Sequence, residues 1–213
     1  MRTTLKILIL LLAAPWAQAT LTQVDTGGVI PAGNPVGSVF TATFSGTDGL
    51  NPYPTVSQLT VNLNITGGYN GNLYAYLIAP NGTLVVLMNQ PGVAVNGFGA
   101  YGAGMNITLQ DGATANGLIQ SETSGSILSG TYNAAGGSTA LSAFDGSQVN
   151  GVWTLYFADL ASGTGSPTLT WSIGLTPVPE PVELALGLFA AMLLALAGLK
   201  WICRSAVTSQ PLE

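Results

Sequence analysis

Between Thr20 and Thr176 the apolar residues recur every second position, and this alternation limits the chain to strands. In Gln58–Ile65, Leu59, Val61, Leu63 and Ile65 alternate with Thr60, Asn62 and Asn64. In Leu73–Ala79, Leu73, Ala75, Leu77 and Ala79 oppose Tyr74, Tyr76 and Ile78. Trp153, Leu155 and Phe157 alternate with Thr154 and Tyr156, and Leu169, Trp171, Ile173 and Leu175 with Thr168, Thr170 and Ser172. Further strands are predicted at Ser38–Phe44, Thr83–Met88 and Met105–Leu109, giving about seven or eight in all. Gly67-Gly68, Pro80-Asn81-Gly82 and Asp145-Gly146 read as turns between them. No window in this stretch has the periodicity of an amphipathic helix. Strands without crossover helices predict an all-β fold of antiparallel sheets, a β-sandwich or jelly roll.

The distribution of charge narrows the function. All four basic residues, Arg2, Lys6, Lys200 and Arg204, lie near the termini, and the chain has no histidine. The middle holds six acids instead: Asp25, Asp48, Asp111, Glu122, Asp145 and Asp159. Nucleic-acid binding needs cations that displace the counterions of phosphates, so it is excluded. Catalytic triads and dyads with a His or Lys base are excluded with it, which predicts a chain that is not an enzyme. Cys203 is the single cysteine, so the middle has neither a disulfide nor a thiolate metal site.

Both ends read as targeting segments. Arg2 and Lys6 precede the apolar stretch Ile7–Ala14, and Ala17-Gln18-Ala19 has the small-x-small form of a signal-peptidase site. Residues 1–19 are therefore expected to be a signal peptide cleaved after Ala19. Near the other end, Leu184–Leu199 contains only apolar residues and glycine. As a helix it would span about 24 Å, and Trp201, Ile202 and Cys203 extend it toward the roughly 30 Å of a bilayer core. A transmembrane helix is expected over 184–203. Lys200 and Arg204 would keep the short tail 204–213 cytoplasmic and leave the domain outside. The expected order is thus signal peptide 1–19, N-terminal strands 20–56, main sandwich 57–176, linker 177–183, membrane helix and tail.

Two resemblances overlay this reading. Val178-Pro179-Glu180-Pro181, followed by the apolar run and basic residues, resembles the PEP-CTERM sorting signal of Gram-negative bacteria. That resemblance implies recognition by an exosortase, a membrane cysteine transpeptidase, and delivery to the cell surface or an exopolysaccharide matrix. The second resemblance lies in the middle. Gly71-Asn72-Leu73, Leu77, Ala79-Pro80-Asn81-Gly82-Thr83 and Leu87 form one block. Gly151-Val152-Trp153-Thr154-Leu155, Ala158-Asp159 and Leu169-Thr170-Trp171-Ser172-Ile173 form the other. With Phe144 and Gly146 they resemble the P domain (P/Homo B) that follows the catalytic domain of proprotein convertases and subtilisin-like proteases, over about 57–176. This implies a jelly-roll sandwich with an accessory, non-catalytic role. The chain departs from the pattern at Asn72, where the family has Asp, and at Gly67-Gly68, where many members have His-Thr.

Acids in a domain without basic side chains raise the question of a metal. Asp145, Asp159 and Asp111 are the candidates for a calcium site made of oxygens alone, set against ordinary turn aspartates that bond to nearby backbone. A glycosidase pair of carboxylates beside Tyr74, Tyr76, Trp153 and Trp171 is the weaker alternative, because the tryptophans fall in the inward phase. Tyr74 and Tyr76 fall in the outward phase, with Tyr69 and Asn70 nearby, and are candidates for binding sugar by ring stacking; otherwise they pack on a neighbouring strand. Gly97-Phe98-Gly99-Ala100-Tyr101-Gly102 matches G-x-G-x-x-G but precedes a strand, so it is not read as a nucleotide site. The expected function is structural or adhesive binding at the cell surface or in the matrix, with exopolysaccharide or surface proteins as partners. The alternative is an accessory subunit of a subtilisin-like protease encoded elsewhere.

Overall fold

The structure, a computed structural model, describes residues 20–45, 55–178, 187–195 and 198. Two β-sheets enclose one core. The strands are β1 (Leu21–Val29), β2 (Ser38–Phe44), β3 (Val56–Thr66), β4 (Leu73–Ile78), β5 (Leu84–Asn89), β6 (Met105–Gln110), β7 (Leu128–Tyr132), β8 (Gly151–Asp159) and β9 (Thr168–Pro177). One sheet has the order β1-β9-β3-β6-β7 and the other β2-β8-β4-β5. All seven segments expected from alternation are strands, and their inward residues form the core. Leu63, Leu73, Leu77, Ile107, Trp153, Phe157 and Ile173 are buried. Trp153 meets Phe144 edge-on at 5.4 Å and donates its indole N–H to the Val149 carbonyl at 3.1 Å. The inward placement of Trp153 and Trp171 removes both from any glycosidase cleft.

β1 and β7 were not legible as individual strands. In β1 only half-buried residues face inward, and its register with β9 shifts between Asp25 and Gly28. Gly27 takes φ +61° at that bulge, and its N–H bonds the Asp25 carboxylate at 2.7 Å. β7 buries only Leu128 and Tyr132. It also corrects the expectation of wholly antiparallel sheets, because β6 and β7 pair in parallel. The segment 111–127 carries the chain back to the end where β6 began, the long return that a parallel neighbour requires.

The 92–104 stretch is mostly loop, with one helical turn at Val93–Asn96. Gly71 and Gly99 meet backbone to backbone there: a Cβ on Gly71 would lie 2.9 Å from the Gly99 Cα. These glycines pin the loop to the start of β4, which accounts for the G-x-G-x-x-G spacing by packing. Residues 187–195 are helical. Among the described residues, no helix is long and apolar enough to cross a membrane, so the expected 184–203 span is not supported. Gly198 is helical too; the other residues of that span, and the expected signal peptide at 1–19, lie outside the described part.

Candidate functional site

Alternation gives each sheet an outward face, and the two faces differ in chemistry. On the four-stranded sheet, Tyr74 and Tyr76 of β4 and Tyr156 of β8 stand half-buried on the outside. Tyr76 and Tyr156 are direct cross-strand partners, and their rings stack at 4.6 Å with 10° between planes. Tyr74 meets both edge-on, at 6.0 and 6.1 Å. The Tyr156 hydroxyl donates to the Pro35 carbonyl, which ties the β1–β2 loop to this cluster. Burial raises the Tyr156 pKa, with Tyr76 and Tyr74 adding to the effect. Val39 and Val86 continue the same cross-strand row, and Ile78 and Leu84 pair in the next. Val39, Leu84 and Val152 are exposed, so the result is a contiguous aromatic and aliphatic surface.

The outward placement expected for Tyr74 and Tyr76 is therefore observed, with two differences. Asn70 does not join them: it is fully buried, accepts from the Gly104 N–H at 3.1 Å and donates to the Gly104 carbonyl at 2.9 Å. The rings also cover one another, so the ring faces that would stack on a sugar are partly occupied. Tyr156 was missed by the sequence reading, although its place between Leu155 and Phe157 carried the same signal.

The three candidate carboxylates do not converge. Asp111 uses both oxygens to cap the turn at Leu141–Phe144, accepting from Leu141 N–H at 2.9 Å and Ser142 N–H at 2.6 Å. Asp145 is exposed nearby; burial raises its pKa, and the Asp111 charge raises it further. Asp159 ends β8, while Asp145 lies before the start of that strand, so the two sit toward opposite ends of a nine-residue strand. Asp159 is fully buried. One of its oxygens accepts from Ala161 N–H at 3.2 Å, and the other has no hydrogen-bond partner among the described residues. Burial raises its pKa, an effect that the Ala161 N–H and the Asn72 side chain partly offset. Among the described residues, no group of three or more His, Cys, Asp or Glu is placed to hold a metal ion. Glu122 accepts from the Tyr132 hydroxyl at 3.2 Å, and burial with this neighbour pushes the phenol up to about 12.

Of the expected sorting motif, Val178 is described: it follows β9, and its N–H bonds the Thr55 carbonyl at 2.8 Å. Pro179, Glu180 and Pro181, like Ala17 and Ala19 at the expected cleavage site, lie outside the described residues.

Two packed sheets with a single core define the class of the fold, a β-sandwich. The family model of the proprotein convertase P-domain matches residues 56–175, and the chain belongs to that family. P domains are accessory and generally non-catalytic. Among solved structures, the chain is similar to a serine protease of Aeromonas sobria in complex with the chaperone ORF2, at 14% identity and TM-score 0.45 over 80% of this chain. The Aeromonas sobria serine protease by itself gives 15% identity and TM-score 0.43 over 79%. In each case the matched region is 29% of the other chain, so the present chain spans less than a third of those structures. No curated protein matches.

Proposed function

We propose that the chain is an exported, non-catalytic P-domain module of the cell surface or extracellular matrix, and that the Tyr74–Tyr76–Tyr156 face is where it docks another protein. The observation that carries this reading is the cross-strand tyrosine cluster with its aliphatic border. Tyrosine supplies large contact area with little loss of rotamer freedom and is enriched at the energetic centres of protein interfaces. The stacked pair presents this surface already ordered, which lowers the cost of binding. Ring-face stacking on sugar is less well served by the same arrangement.

The PEP-CTERM-like run from Val178 supports export through an exosortase-type transpeptidase, with the apolar 184–203 segment as a membrane anchor or a cleaved signal. Consecutive strands alternate between the two sheets from β1 through β4, which supports a jelly-roll winding. Cell fractionation tests the whole reading. Once the 184–203 segment has been cleaved off, the wild-type domain should be retained at the envelope or matrix and Tyr74→Ala/Tyr76→Ala should be shed into the medium, while loss of the transpeptidase should leave a longer precursor. Equal retention of the double variant would overturn the docking face. The second reading, support of a subtilisin-like protease encoded elsewhere, draws on membership of the P-domain family. It predicts co-purification with such an enzyme through this same face.

A further inference from the structure

The outward face of the five-stranded sheet carries a different surface. Cross-strand pairing lines its side chains into rows. One row runs Val24, Ser172, Asn62, Thr108, Thr131 from β1 to β7. The next runs Thr170, Asn64, Asn106, Ser129 from β9 to β7, flanked by Thr168 beside Thr66. Every member is uncharged, and all but Val24 carry a hydroxyl or an amide.

The two rows are in different states. In the first, Asn62 donates to the Ser172 hydroxyl at 3.0 Å and accepts from the Thr108 hydroxyl at 2.6 Å, a chain that fixes all three side chains. In the second, Asn64 and Asn106 face each other across β3 and β6, both exposed, and neither side chain has a hydrogen-bond partner among the described residues. A shallow groove of about 130 Å³ lies over this step, lined by Val24, Asn62, Asn64, Asn106, Thr170 and Ser172 together with the buried Leu63 and Trp171. A fixed row of polar groups thus borders a free row that can both donate and accept.

We infer that this groove and its Asn64–Asn106 row bind an uncharged polysaccharide. Neighbouring strands are about 4.8 Å apart, so the row offers polar groups at roughly the spacing of successive residues in an extended sugar chain. Amides and hydroxyls act as donor and acceptor alike, which matches the mixed demand of sugar hydroxyls. Charge sets the class: the sandwich has no Lys, Arg or His to attract an anionic polymer, and its own acids repel one. A second copy of the chain is disfavoured for the same reason, and because the large apolar groups Val24 and Val29 both stand on the border strand β1, so the surface lacks the apolar centre of a protein interface. This site lies on the other sheet from the tyrosine cluster and does not depend on it.

Affinity electrophoresis of the full-length chain tests the assignment, with gels containing dextran, mixed-linkage β-glucan, galactomannan or, as the anionic comparison, alginate. Retardation is expected in at least one neutral gel and not in alginate. Asn64→Ala/Asn106→Ala should weaken it by about tenfold, the loss of two hydrogen-bonding groups. Asn64→Asp/Asn106→Asp, whose fold is checked by its melting temperature, should lose it as well, while Val95→Ala on the exposed helical turn should not change it. Free migration of the wild type in all three neutral gels would overturn the proposal. So would undiminished binding by the alanine pair, or a dimer that the aspartate pair dissolves, since the face would then be a self-contact.

Discussion

One outward face of the sandwich is a lattice of Ser, Thr and Asn, partly locked by its own hydrogen bonds; the other is a cluster of tyrosines bordered by valine, leucine and isoleucine. Both follow from the same backbone rule, that alternate residues of a strand point to opposite sides. The inward phases are interchangeable in character, Leu, Val, Ile, Phe and Trp on either sheet. The outward phases are therefore free to diverge, and here they do. One lattice offers directional polar contacts to a hydrated ligand, and the other a dry, ordered patch. In the readings proposed above, these two surfaces take two unlike partners.

The largest perturbation removes what the two faces share. Trp153→Ala should cost about 3–5 kcal/mol, because it empties a fully buried site against Phe144. Denaturant unfolding would show it, and both binding faces should fail together. Asn62→Ala should cost about 1–2 kcal/mol by breaking the Ser172–Asn62–Thr108 chain, leaving the tyrosine face intact. Tyr76→Ala should cost about 1 kcal/mol through its lost stack on Tyr156, with the polar face intact. If either single-face variant disabled the opposite face, the two would not be independent surfaces.

Proton linkage gives a smaller effect with a definite sign. Asp159 and Asp145 both have folded-state pKa values raised by burial. The folded state then holds protons that the unfolded state has released, so stability is greatest below the unfolded carboxylate range and is lost as pH rises through the folded values. The melting temperature should accordingly be higher at pH 4 than at pH 7, the reverse of ordinary acid denaturation. Asp159→Asn should flatten that slope, and an unchanged slope would assign it elsewhere. At the alkaline end, stability should fall again as pH rises from about 10 toward 12, where Tyr132 ionises. The smallest effect is expected from calcium. Asp111 spends both oxygens on backbone N–H groups and Asp159 lies toward the far end of β8, so millimolar calcium should leave the melting temperature unchanged.

The strands with a long alternation were legible because a one-sided core imposes it: β3, β4, β8 and β9 bury Leu63, Leu77, Trp153 and Ile173 through a period of two over most of their length. β1 was hidden by its bulge at Asp25–Gly28, which breaks the period, and β7 by having only Leu128 and Tyr132 to bury. The tyrosine pair on β4 was legible as a local pattern. Its third member was not grouped with them, because Tyr156 reaches Tyr76 only through a pairing between distant parts of the chain. The polar rows were harder still. Phase alone assigns Asn64 and Asn106 to an outward side, but register decides that they are opposite each other, and register is a property of the assembled sheet. The carboxylates misled for a related reason: their shared composition suggested a common site, while the topology separated Asp159 from Asp111 and Asp145.

The kink in β1 has a consequence for solubility. A border strand with unpaired amides invites another chain to join the sheet, and proteins commonly repel such growth with lysine. The sandwich has none. In the five-stranded sheet, the Asp25–Gly28 bulge bends the ladder out of line at the β1 border, and at the β7 border Asn116 donates its amide to the Thr131 carbonyl. Steric misfit and side-chain masking thus take over the guard against fibril growth that ammonium groups perform elsewhere, and they continue to do so at any ionic strength.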